Sequence, residues 1–224
     1  MKILFENPQF LVIDKPAGWL SVPGRQGEDD VRPCLGRELE KTHGRIWPVH
    51  RLDLEVSGLI LYARTAAAHR EASMAFERHR VQKTYQAFTA AAAIETLPAA
   101  AQKTAPSDWS KFKESQIWVC QLLRGKKRAF ESPQGKDSQT RVRCLGVQNS
   151  GNLLWELQPL TGRAHQLRYE LSRHGYPILG DALYGSTGAW SDGIALKSVR
   201  MDFSKAPELQ SLGLPPVLAI EYTI

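Results

Sequence analysis

The chain has 224 residues, 42% of them hydrophobic and 23% charged, the balance of an ordinary soluble globular protein able to bury a full core as one domain, 1–224. No apolar run approaches the ~18 residues a membrane helix needs, and Met1-Lys2-Ile3-Leu4-Phe5-Glu6 turns polar too soon for a secretory signal. A net charge of +6 suggests an anionic partner, while Cys34, Cys120 and Cys144, scattered without a CxxC pair, fit a reducing cytoplasm and speak against a disulfide framework or zinc site.

In chain order, residues 3–5 and 10–13, joined by Asn7-Pro8-Gln9, read as a hairpin, and Asp14-Lys15-Pro16-Ala17-Gly18 forces a turn. Asp29 or Asp30 is expected to cap a short helix reaching residue 41. Residues 46–52 and 58–63 read as strands flanking a loop at Asp53, and Thr65 is expected to cap a helix to residue 79 with Ala68, Ala72, Ala75 and Phe76 on one face. Residues 81–90 return to strand. The alanine- and proline-containing stretch 90–110 reads as a loop or insertion, and three further strands follow at 117–123, 140–147 and 153–159, with a polar, basic linker from 124 to 139. Residues 164–173 carry a helical pattern, Ala164, Leu167 and Leu171 falling on one face, and 194–203 and 217–224 close as strands. Many strands, few helices and no regular βαβ alternation point to an α+β fold with a mixed, largely antiparallel sheet.

The chemistry concentrates at His50-Arg51-Leu52-Asp53-Leu54-Glu55-Val56-Ser57-Gly58. A carboxylate set among apolar residues is costly unless paired, so it serves either chemistry or a structural ion pair. Arg168, next to the apolar face of the 164–173 helix, could point inward at a buried acid; an Asp–Arg pair can act as a nucleophile or stabilise charge developing on a sugar. Tyr85, in Lys83-Thr84-Tyr85-Gln86-Ala87, fits either a core aromatic or a platform for an unstacked base. Arg124-Gly125-Lys126-Lys127-Arg128, with Lys136, Arg141 and Arg143, concentrates positive charge, and its glycine suits a loop that follows a phosphate backbone. The pairs His165/His174 and His69/His79 lack zincin or finger spacing, so no metal is expected.

These segments resemble the RluA-type pseudouridine synthases, which isomerise uridines in ribosomal and transfer RNA. Asp14-Lys15-Pro16-Ala17-Gly18, His50-Arg51-Leu52-Asp53 with Ser57-Gly58, Lys83-Thr84-Tyr85-Gln86-Ala87, and Thr161-Gly162-Arg163-Ala164-His165-Gln166-Leu167-Arg168 with Pro177-Ile178-Leu179-Gly180-Asp181 and Leu183-Tyr184-Gly185 follow the family's order across about residues 10–185. His50 favours the RluA type over the RsuA type, which usually has Gly there. The resemblance implies Asp53 as the catalytic carboxylate, Tyr85 stacking on the flipped base, Arg168 pairing with Asp53, Leu167 contacting the base, and Arg51 entering the RNA stack. It implies no cofactor and structured tRNA or ribosomal RNA as partner, with no membrane or protein partner, in a chain able to act as a monomer. No S4-like segment is expected, only thirteen residues preceding Asp14. The chain departs from the family at Val56 and Ala164, where Thr is usual, at Tyr169-Glu170, where Val-His is commoner, and in the alanine-rich stretch 90–101. Two competing readings are a non-catalytic RNA-binding or RNA-folding protein on the same scaffold and a nucleoside or glycoside hydrolase.

Overall fold

A computed structural model describes residues 2–24, 30–90 and 108–222. The chain divides into two compact units, Met1–Lys83 with Lys197–Ile224, and Thr84–Leu196.

In the first unit β1 (Lys2–Glu6) and β2 (Phe10–Lys15) form the expected hairpin, with Asn7 Oδ1 accepting the Gln9 and Phe10 N–H groups at 2.8 and 2.7 Å to fix the turn. β2 pairs antiparallel with β4 (Ser57–Ala63), which also pairs with the two-residue β3 (Trp47–Pro48) and, in parallel, with β10 (Leu196–Asp202); β11 (Val217–Ala219) pairs with β10. The run Leu59-Ile60-Leu61-Tyr62 is wholly buried, which is why β4 reads as continuously apolar rather than alternating. Helix α2 (Ala66–Glu77) lays Ala68, Ala72 and Ala75 on the core with Phe10, Val12, Leu59, Leu61 and Phe203, and Thr65 caps it by accepting the Ala68 N–H.

In the second unit the antiparallel order is β5 (Gln82–Thr89), β9 (Leu153–Pro159), β8 (Lys136–Val147), β6 (Gln116–Arg124) and β7 (Ala129–Glu131). β8 alternates buried Ser138, Thr140, Val142 and Cys144 with exposed neighbours, the pattern of a strand covered on one face. Helix α3 (Gln166–Arg173) buries Gln166 through Ser172. With the parallel pair of β4 and β10 among antiparallel ones, the strands make the mixed α+β architecture that the sequence implied.

The structure corrects four expectations. Helix α1 (Leu35–His43) starts later than the acidic pair implied: Pro33 intervenes, Cys34 is the N-cap, and Asp30 instead forms a bidentate pair with Arg32 at 2.7 and 2.8 Å. The strand expected over 46–52 shrinks to β3. The basic linker contains a strand, β7, whose three residues are too few to show periodicity. Ala164 and His165 precede α3 rather than belonging to it, and His165 stands in the left-handed region at φ 55. The stretch expected to be a loop over 90–110 lies, for residues 91–107, outside the described residues.

Candidate active site

The five expected site residues fall into two sets, Arg51 and Asp53 in the first unit and Tyr85, Leu167 and Arg168 in the second.

Asp53 sits in the loop between β3 and β4, partly exposed, with Arg51 exposed beside it. The loop is irregular, yet its backbone is held on both sides of the acid. On one side Ser21 Oγ donates to the Leu52 carbonyl at 3.0 Å and accepts the Leu52 N–H at 3.1 Å, while Tyr62 Oη donates to the Ser21 carbonyl at 2.6 Å. On the other, the Leu54 carbonyl accepts the Gly18 N–H at 2.8 Å and the Lys15 ammonium at 3.3 Å. Lys15 is fully buried and also donates to the carbonyls of Pro16 at 3.0 Å and Trp19 at 2.7 Å. The Asp-Lys-Pro-Ala-Gly turn is thus a clamp, with its lysine spanning it and its glycine, at φ 76, presenting the amide. A turn closes the loop, the Val56 N–H donating to the Asp53 carbonyl at 3.2 Å. The Val56 side chain is buried, so the position where the resemblance leads one to expect Thr presents a methyl inside the fold. At Gly58, φ is 106 and a Cβ would fall 2.2 Å from the Ser198 carbonyl oxygen, so the glycine ending the motif lets β10 approach β4.

His50 opens the loop. Its Nε2 accepts the Leu61 N–H at 3.2 Å, which assigns the ring proton to Nδ1, and the ring stacks on Phe76 at 4.9 Å. Burial, with the Lys83 ammonium adding to it, pushes His50 down to about 3. Burial also lowers Lys83, whose Nζ lies 5.8 Å from the Phe76 ring centre.

In the second unit Tyr85 lies opposite Leu157 of β9 and is 7% exposed, as is Leu167 on α3. Gln166 fixes the start of α3 by using all four of its hydrogen-bonding positions: Oε1 accepts from Thr161 Oγ1 and the Arg163 N–H, and Nε2 donates to the Gln139 carbonyl and Thr140 Oγ1, each at 2.9 Å. Arg168 points inward as expected. It forms a two-pronged bond with Asp181, Nε to Oδ2 at 2.7 Å and Nη2 to Oδ1 at 2.8 Å, both side chains almost wholly buried. Its guanidinium carbon lies 5.3 Å from the Tyr184 ring centre. Sequence reasoning assigned no role to Asp181 or Tyr184. The only signal was their place in the Gly180-Asp181 and Leu183-Tyr184-Gly185 segments.

Among the described residues, no group of three or more His, Cys, Asp and Glu could hold a metal ion, and no helix is long and apolar enough to cross a membrane.

The family model for RNA pseudouridylate synthase matches residues 9–173. The chain is 31% identical over 191 residues to the dual-specificity RNA pseudouridine synthase RluA of Yersinia pestis, covering 82% of each chain. It is 32% identical over 194 residues to its Escherichia coli namesake, covering 84% of this chain and 78% of that one. Among solved structures, the fold resembles human RNA pseudouridylate synthase domain containing 1, with a TM-score of 0.66 at 22% identity over 90% of this chain and 77% of that one.

Proposed function

The chain belongs to the RNA pseudouridylate synthase family, and from that premise we propose that it isomerises a specific uridine to pseudouridine in structured RNA, either tRNA or ribosomal RNA, as one catalytic domain in the cytoplasm. The observation that supports the reading is the loop of Asp53, the acid that the resemblance implies as catalytic, whose flanking backbone is clamped on both sides by Ser21, Gly18 and Lys15.

The reaction breaks the C1′–N1 bond, turns the base and joins C1′ to C5, from which a proton leaves while the freed N1 takes one up. Nothing is oxidised, hydrolysed or donated, so the reading includes no cofactor. Asp53 is the catalytic residue, attacking C1′ or taking a sugar proton to give a glycal; both routes need the carboxylate at the sugar. The target base is inaccessible within a stacked helix and must be extruded, at a cost of a few kcal/mol. Arg51 fills the gap in the stack, Tyr85 stacks on the extruded base and Leu167 contacts it. Arg168, oriented by Asp181, pairs with Asp53. The net charge of +6 supplies phosphate contacts that offset the extrusion.

Val56 and Ala164, where the family carries Thr, are the observations that favour a second reading, an RNA-folding protein without catalysis. Pseudouridine mapping of RNA from cells with and without this protein separates them. The isomerase reading expects at least one site to disappear with the protein; an unchanged map favours the second reading.

A further inference from the structure

Tyr184 is almost wholly buried at the end of a short 3₁₀ turn, Ala182–Tyr184, and it contacts Arg168 and both flanks of the helix that bears it. Its ring carries the guanidinium at 5.3 Å. Its hydroxyl accepts the Ala129 N–H at 2.7 Å and lies 3.0 Å from His165 Nδ1, at the N-cap of the helix bearing Arg168. Its carbonyl accepts the Ser172 hydroxyl at 2.7 Å, one turn beyond Arg168 on the same helix. Burial pushes the phenol up to about 12, so it keeps its proton near neutrality. The hydroxyl and His165 Nδ1 share one hydrogen bond, whose direction follows the imidazole tautomer.

Ala129 begins β7, directly after the turn Arg124-Gly125-Lys126-Lys127-Arg128, where the four cations are exposed. The far end of α3 is tied to the same hairpin. Arg173 Nη2 donates to the Val119 carbonyl of β6 at 3.0 Å, and Arg173 Nε donates to Glu170 at 2.7 Å. Glu170 in turn accepts from Cys120 Sγ of β6 at 3.2 Å. The basic hairpin and the helix are therefore fastened at both ends; near Arg168 the Tyr184 hydroxyl is one tie, and the neighbouring Tyr169 packs with Cys120, Leu122 and Ala129 of the hairpin.

We propose that Tyr184 is a positioning residue for the isomerisation: its ring supports the Arg168 guanidinium, and its hydroxyl sets the start of α3 against the β6–β7 hairpin, so that Arg168 is held at the angle the reaction requires. This rests on the isomerase reading. Bidentate geometry makes Arg168 sensitive to small rotations of its helix, and misplacement on the order of 1 Å can cost about 100-fold in rate.

The test is single-turnover tritium release from total RNA that carries [5-³H]uridine and comes from cells lacking the protein, with enzyme in excess and its concentration varied. Loss of the C5 proton reports isomerisation directly. Tyr184→Phe keeps the ring and removes the hydroxyl. It is expected to lower the saturating rate about 10- to 100-fold while the enzyme concentration giving half that rate changes less than about twofold. Thr89→Val removes a comparably buried hydrogen bond, from Trp155 Nε1 at 2.7 Å, elsewhere in the same unit. It is expected to lower the thermal midpoint without lowering the rate. A Tyr184→Phe variant that loses stability yet turns over at the wild-type rate overturns the role. Should that variant not fold, His165→Ala removes the partner in the same bond, and a wild-type rate there overturns it equally. No tritium release by the wild-type protein overturns the isomerase reading itself, a result distinct from either.

Discussion

Lys15 shows how a single side chain can make a loop precise. A buried ammonium is costly, and here it is stabilised by three carbonyls, one of them Leu54's, next to Asp53. Lys15→Met preserves most of the volume but leaves the Pro16 and Trp19 carbonyls short of a donor. The expected loss of stability is on the order of 2–4 kcal/mol, measured by urea denaturation at neutral pH, and a variant as stable as wild type contradicts the clamp. The roles of Lys15, Asp181 and Tyr184 were not legible in the sequence, because each depends on a partner brought near by folding. Asp53 and Arg168 could be singled out as candidates, because a charge among apolar residues needs a reason wherever it lies, but the Asp181 partner of Arg168 could not.

Elements with long, repetitive patterns were read correctly, namely the buried run of β4 and the alanine face of α2 under its Thr65 cap, while β8 was recognised only from residue 140, its first four residues being read as linker. The misread ones were short or decided by competition. Asp30 prefers the Arg32 guanidinium to a helix amide, β7 has three residues, and β3 gives way to the loop carrying Asp53. That loop is anchored to β4 through His50, and this gives it a pH signature. The folded protein holds His50 neutral down to about 3, whereas the unfolded chain takes up the proton near ~6.5. Between these values the unfolded state binds the extra proton, so this contribution is complete above ~6.5 and is lost as the pH falls toward 3. The urea midpoint is expected to fall between pH 7 and 4, and to fall less steeply in His50→Gln. Parallel profiles for the two proteins would show that His50 contributes nothing to the pH dependence.

At the scale of the whole molecule, the surplus of cations governs how RNA is captured rather than what is done to it. Lys126 and Lys127 are exposed at the β6–β7 turn, remote in sequence from every residue assigned to the chemistry. Replacing both with Gln is expected to weaken binding to different RNAs alike. It is also expected to flatten the dependence of log affinity on log salt by about 2, one phosphate contact for each lysine. A slope unchanged from wild type, measured by filter binding across a salt series, would place the phosphate contacts elsewhere.

The central claim is that Asp53 carries out the isomerisation. Its most direct measurement is tritium release from [5-³H]uridine-labelled RNA by the wild-type protein and by Asp53→Ala, with RNA affinity measured on the same preparations. The account expects release by the wild type, loss of release to background in the variant, and affinities within about twofold of each other, since Asp53 contributes to the reaction rather than to phosphate binding. An Asp53→Ala protein that still releases tritium at a rate near wild type would contradict it.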